Sequence, residues 1–229
     1  MVFLFSFFPY TAMIGDIKGS RKSEKRKELQ ERFKAVLQEI NVKYKEQIAS
    51  KFMVTLGDEF QGLLNDGAYA LEIMDEIERR MYPAKFRFGI GVGEITTDIQ
   101  YEMPLSADGP AYYYAREMIE EVRASERKNR ISQGTVRIKI HGKEDISALC
   151  NVILMLMSKL KKAWTPRRVE IINAYYENGQ KQEKTAKSLS INQSGVQRAL
   201  AQTEFYAYQG AMAAVSSLLA GVKQEEAYV

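Results

Sequence analysis

The chain has 229 residues, enough for one large domain or two small ones and for a substantial core. With 45% hydrophobic and 27% charged residues and a net charge of +4, it is neither a disordered segment nor a polycation. A single cysteine, Cys150, excludes an intramolecular disulfide and fits a reducing cytoplasm. With a single histidine, His141, beside it, zinc ligation and a Ser-His or Cys-His nucleophile are not expected, so any catalysis would rest on carboxylates and metal.

Residues 1–8 are apolar but lack a basic leader, and Pro9 interrupts them. Eight residues cannot span a bilayer, so no membrane protein is implied; the segment reads as an extra edge strand or an extension. Residues 10–17 read as a buried strand ending around Gly15-Asp16. Over 22–48, Leu29, Phe33, Val36, Leu37, Ile40, Tyr44 and Ile48 recur at helical spacing, with a solvated face of interleaved charges between them. Residues 51–64 split into two strands about Gly57-Asp58, a favoured two-residue hairpin turn. A short amphipathic helix over 68–80 stops before Pro83.

The stretch 85–92 alternates as a strand. Its Gly89 and Gly91, with Gly93 beyond, leave one face bare, open to a base, a sugar or a packed helix. A second hairpin-like piece at 94–99 follows, then a helix over 109–124 started by Asp108 and Pro110, and a strand over 135–140.

This β-α-β-β-α-β order with a further α-β is an elaborated ferredoxin-like pattern, an α+β fold. It sets the first strand antiparallel to the third, so Asp16 meets Asp58 at one sheet rim although 42 residues separate them. Two such carboxylates can hold a hard cation such as Mg²⁺ against a nucleotide triphosphate. As isolated Gly-Asp pairs, both are equally ordinary turn residues.

Four motifs in this order are more specific than any alone: Gly15-Asp16-Ile17-Lys18-Gly19-Ser20-Arg21, Gly57-Asp58-Glu59-Phe60-Gln61-Gly62, Arg87-Phe88-Gly89-Ile90-Gly91-Val92-Gly93 and Gly109-Pro110-Ala111-Tyr112-Tyr113-Tyr114-Ala115-Arg116-Glu117. Over about residues 10–142 the chain resembles the SatD family and, more distantly, the class III nucleotide cyclase catalytic domain. Gly57-Asp58-Glu59-Phe60 is also similar to the corresponding fragment of diguanylate cyclases. The cyclase resemblance implies two metals on Asp16 and Asp58. It also implies a nucleotide whose phosphates face the backbone N–H groups of Ile17, Lys18, Gly19, Ser20 and Arg21, with Gly57 in the adjoining turn. Cyclases stabilise the transition state with an Asn and an Arg on the helix after the glycine-rich strand. Tyr113 and Glu117 stand at those positions here, and Arg116 lies about 100° round the helix, so no catalytic residue is expected.

Residues 145–160 form a strongly apolar helix, expected to join domains or to enter a dimer interface. Thr165-Pro166 is an N-cap with proline at the first helical position, and the helix it starts ends at Asn178-Gly179. Between residues 161 and 202, eight basic residues face three acidic ones, a surplus of five that leaves the rest of the +4 chain at −1. Residues 183–200 carry helix-turn-helix spacing: Ala186 at the crossing, Ser190 in the turn, Ile191 at the corner, and Val196 and Leu200 as anchors. The second helix would present Gln193, Ser194, Gln197 and Arg198 to bases and phosphates, with Lys184 and Lys187 on phosphate. A generic helical hairpin is the alternative. The apolar helix over 205–222 needs burial, for which dimerisation is a natural use.

The expected architecture is therefore a cyclase-like domain over 1–142 and a helical domain over 143–229, with the helix-turn-helix at about 164–202. The expected function is a cytoplasmic, homodimeric transcriptional regulator with a degenerate nucleotide- and metal-binding domain coupled to DNA. The alternatives are an active metal-dependent nucleotidyl enzyme whose C-terminal helices serve assembly, and a ligand-free scaffold.

Overall fold

The computed structural model describes residues 9–19, 26–127 and 134–222. Five strands, β1 (Tyr10–Ile17), β2 (Ile48–Leu56), β3 (Glu59–Leu64), β4 (Phe86–Gly93) and β5 (Val136–Ile140), make one sheet in the order β2-β3-β1-β4-β5. Helices α1 (Arg26–Lys43), α2 (Ala70–Met81) and α3 (Pro110–Arg127) connect them, and α4 (Glu144–Lys162), α5 (Pro166–Glu177), α6 (Gln182–Ser188), α7 (Gln193–Gln202) and α8 (Phe205–Ala220) follow. The fold is thus mixed α+β. Central β1 runs antiparallel to both β3 and β4, while β4 and β5 are parallel across α3.

The two faces of the sheet are covered differently, and the period-two pattern of β1 assigns its side chains to them. Met13 and Ile17 enter the larger core with Phe33, Phe60, Phe86 and Phe88, beneath α1, α2, α4 and α8. Ala12 and Ile14 enter a smaller core beneath α3. Against that face Gly89 and Gly91 are required, because an added Cβ would lie 2.1 Å from the Ala115 carbonyl oxygen and 2.0 Å from that of Ala111. Packing of α3, rather than a base or sugar, fills the bare strand face.

Three local expectations are corrected. The helix expected to run to residue 48 ends at Lys43; a 3₁₀ turn over Lys45–Gln47 then leads into β2 at Ile48, ahead of the expected start at 51. Tyr44 and Ile48 are buried all the same, and Asn41 fixes the junction by exchanging side-chain hydrogen bonds with the Phe52 backbone (2.8 and 2.7 Å). Residues 94–99 form no hairpin. Their polar groups turn instead to the loop before α3: Thr96 N–H donates to the Asp108 carbonyl (2.9 Å), and Thr97 Oγ1 accepts from Asp108 N–H (2.8 Å).

The apolar C-terminal helix finds its burial within the chain. Tyr208, Val215 and Leu219 of α8 join Cys150, Leu154 and Met157 of α4 in the larger core. The segment 143–229 therefore gives its first and last helices to the core of the sheet, while α5, α6 and α7 surround a cluster of their own, with Ile172, Val196, Leu200 and Phe205 at its centre.

A buried polar network on α2 ties these parts together. The carboxylate of Asp75, 1% exposed, accepts from Arg79 Nε, Lys161 Nζ and Tyr208 Oη, each at 2.8 Å. Lys161 also donates to Glu78 (2.5 Å), and the Arg79 guanidinium lies 3.7 Å over the Tyr176 ring of α5. Burial alone would raise the Asp75 pKa, but Lys161 and Arg79 outweigh it and lower it from 3.8 to about 2. A depressed carboxylate pKa stabilises the folded state above the unfolded value and loses that contribution as the pH falls through the folded one. The contribution, of order 2 kcal/mol, is thus complete above pH 3.8 and lost toward pH 2. Asp75→Ala leaves Lys161 and Arg79 buried without their shared partner. Urea denaturation at neutral pH should show a loss of about 3–5 kcal/mol, and the variant should show a weaker loss of stability between pH 4 and 2 than the parent.

Candidate functional site

Where β1 ends, the sheet rim forms a cavity of about 780 Å³, lined by the β1 end, the start of α1, the β2–β3 turn, β4 and α3. Asp16 and Asp58 both line it, at the rim where the topology was expected to bring them. Asp16 is paired with Glu59 in the β1–β3 register, and Ile17 N–H donates to the Asp58 carbonyl (3.3 Å). Gly57 takes φ of +66° in the turn, next to the guanidinium of Arg26, and its carbonyl accepts from Gln30 Nε2 (2.9 Å).

The residues that give the site its chemistry are mostly arginines. Asp16 Oδ1 accepts from Arg87 Nη1 (2.8 Å), and Oδ2 accepts from Arg123 Nε (2.8 Å) and Nη2 (2.5 Å). Arg123 reaches on to Glu59 (3.0 Å) and Glu120 (2.5 Å), and Arg116 joins Glu59 (2.7 Å). Arg87 is braced by Glu126 (2.7 Å), which also pairs with Lys18. Partial burial would lower the pKa of Arg123, but its bonds to Asp16 and Glu59 raise it above the ordinary arginine value; Arg87 is raised against burial by Glu126 and Asp16. Glu126 is lowered against burial by Lys18 and Arg87.

Asp16 is 6% exposed and both of its oxygens are committed to guanidinium groups. Mg²⁺ requires near-octahedral oxygen ligands at about 2.0–2.1 Å, and it would stand beside two like charges, each repelling it by several kcal/mol at an effective dielectric of about 20. Among the described residues no group of three or more His, Cys, Asp or Glu side chains is placed to hold a metal ion. The arrangement does not fit Mg²⁺.

The expected phosphate cradle is narrower than its motif. Ile17 N–H is bonded to Asp58 and Lys18 N–H to the Lys85 carbonyl (2.7 Å), so neither faces a ligand. Gly19 lines the cavity at φ +71°, and among the described residues no atom beyond its chain neighbours lies within 4 Å of where a Cβ would stand. Ser20 and Arg21 lie outside the described residues. Tyr113 and Glu117, at the positions of the cyclase transition-state pair, turn elsewhere. The Tyr113 hydroxyl donates to Asp108 (2.8 Å), Glu117 accepts from Lys139 (2.7 Å), and both line a second cavity with Gln61 and Leu105.

Arg87 and Arg123 were not singled out in the sequence, and Arg116 was weighed only as a transition-state group, although the signal was there. Arg116, Glu120, Arg123 and Arg127 recur at helical spacing on one side of α3, and Arg87 is in phase with the glycine stripe of β4.

On the helical part, Thr165 caps α5 by accepting from Arg168 N–H (3.4 Å). Between α6 and α7, Ser190 adopts φ of +53°, Ala186 is 5% exposed, and Val196 and Leu200 are fully buried. Lys184, Lys187, Gln193, Ser194, Gln197 and Arg198 are all exposed; Lys187 pairs with Glu183 (3.0 Å).

The family model described as the SatD family matches residues 10–219, and the chain belongs to that family. Among solved structures, the adenylyl cyclase CyaB from P. aeruginosa is similar at 16% identity and a TM-score of 0.38, over 47% of this chain and 69% of that one. A bacterial light-regulated adenylyl cyclase is similar at 13% identity and 0.42, over 57% and 75%. No curated protein matches. No helix among the described residues is long and apolar enough to cross a membrane.

Arg123→Ala should lower stability by about 1–3 kcal/mol, because it leaves the nearly buried Asp16 short of donors. Arg116→Ala removes a more exposed pair and should cost under about 1 kcal/mol. Equal urea midpoints for the two variants would contradict this ranking.

Proposed function

We propose that the chain is a cytoplasmic regulator: a catalytically degenerate, cyclase-like domain that binds a nucleotide or similar anion at the rim cavity, coupled to a DNA-binding helix-turn-helix formed by α6 and α7. The β2-β3-β1-β4 order is read as ferredoxin-like. The observation that carries the DNA reading is the division of α7 into two sides. Val196, Ala199 and Leu200 are buried, while Gln193, Ser194, Gln197 and Arg198 remain on its exposed side. Those side chains suit base edges and phosphate, and Lys184 and Lys187 stand nearby on α6.

A homodimer suits this function because paired modules meet paired half-sites. Helix α4 offers an apolar stripe for it in Leu149, Val152 and Leu156, each more than half exposed. The degenerate character is supported by the engagement of Tyr113 with Asp108 and of Glu117 with Lys139. Mg²⁺ on Asp16 and Asp58 belonged to the same expectation, and the guanidinium bonds of Asp16 weigh against it.

Two measurements test the proposal. Purified protein incubated with ATP or GTP and Mg²⁺ should form no cyclic nucleotide; robust conversion abolished by Asp58→Ala would establish the enzyme reading instead. In DNA-binding assays, Gln197→Ala or Arg198→Ala should relax sequence preference by about 1–3 kcal/mol at one base pair. Lys187→Ala should weaken binding evenly across sequences and lower the salt-dependence slope by about one unit. Absence of salt-sensitive DNA binding, with or without nucleotide, would reduce α5–α7 to an assembly module.

A further inference from the structure

We infer that the rim cavity is a metal-independent site for a polyphosphate group, with arginine guanidiniums in place of divalent cations. The inference rests on the reading that this cavity takes a nucleotide-like anion, and specifies how the phosphates are held.

Four arginines line the cavity from three elements: Arg26 at the start of α1, Arg87 on β4, and Arg123 and Arg127 on α3. Four acids, Asp16, Asp58, Glu59 and Glu120, balance them in number but not in availability. Asp16, Glu59 and Glu120 are already matched by Arg87, Arg116 and Arg123, which damps their repulsion of an incoming anion. Arg26 and Arg127 are exposed and make no ion pair among the described residues.

A guanidinium has five N–H donors in a fixed fork that matches phosphate oxygens. Arg87 uses three of them on Asp16 and Glu126, and Arg123 makes four contacts, to Asp16, Glu59 and Glu120. Both retain donors while their positions are fixed. Asp16 thus becomes the anchor of the anion site instead of a ligand to metal. Such preorganised cations lose little freedom when an anion binds. The volume of about 780 Å³ lies within the range of small-molecule sites. At Gly19 no atom of the described residues beyond its chain neighbours lies within 4 Å of where a Cβ would stand, which lets phosphate approach the backbone there.

The test uses full-length protein, inorganic tripolyphosphate and ATP, each in EDTA and in Mg²⁺, by titration calorimetry with thermal melting alongside. Both probes are expected to bind in EDTA, and Mg²⁺, which neutralises phosphate charge, should leave affinity unchanged or weaken it several-fold. Arg26→Gln and Arg127→Gln should each weaken binding at least tenfold with the melting temperature of the free protein unchanged. Asp16→Asn should lower that melting temperature yet retain binding in EDTA. Binding that requires Mg²⁺ and disappears in Asp16→Asn would overturn this inference and leave the nucleotide reading standing. Binding untouched by the Arg26 and Arg127 substitutions would also overturn it. No binding of either probe in either buffer would overturn the nucleotide reading itself.

Discussion

The backbone-to-backbone approach of α3 onto β4 governs the geometry of the sheet domain. Helix and strand come so close at Gly89 and Gly91 that a methyl group at either would overlap a helix carbonyl. Contact of this kind admits one register, because sliding α3 by a residue would turn a side chain into the strand. The register in turn sets Arg116, Glu120, Arg123 and Arg127 along the rim and brings Arg123 to Asp16, 107 positions earlier in the chain. Two absent side chains thereby determine where the charged ones meet.

The larger face is governed by charge as much as by apolar packing. Asp75 sits where three helices meet and would be costly to bury alone. It is matched by Arg79 from its own helix, Lys161 from α4 and Tyr208 from α8, so α2 is joined to elements that come after the sheet is complete. Trp164 adds a bond from its indole N–H to the Thr203 carbonyl (2.9 Å), linking the end of α4 to the joint between α7 and α8. Hydrophobic burial would hold α4 and α8 against the sheet in several arrangements; satisfying these polar atoms selects among them.

Much of the sheet was legible because its signals are local. The β1 run, the Gly57-Asp58 turn, the alternation of 135–140 and the Thr165-Pro166 cap each follow from backbone preference or periodicity, and the order of the strands and helices led to the shared rim of Asp16 and Asp58. What escaped was decided across distance. The end of α1 at Lys43 depends on Asn41 meeting Phe52, and the loop at 94–99 depends on Thr97 meeting Asp108. The state of Asp16 depends on arginines of β4 and α3 that no spacing rule assigns to it. A Gly-Asp motif announces a carboxylate at a rim, but its partners are fixed only when the tertiary fold closes.

The junction at Thr203 and Glu204 has a mechanical consequence. Helix α7 passes into α8 across these two residues, Glu204 in the left-handed region at φ +51° and the Thr203 hydroxyl bonded back to the Ala199 carbonyl (2.8 Å). Since one face of α8, through Tyr208, Val215 and Leu219, is buried in the core beneath the sheet, this short elbow ties the exposed side of α7 to the strands. A helix on a slack tether could swivel to suit whatever it met; re-aiming this one requires new backbone angles at Thr203 and Glu204 or a shift of α8, whose Tyr208, Val215 and Leu219 lie in the core beneath the sheet.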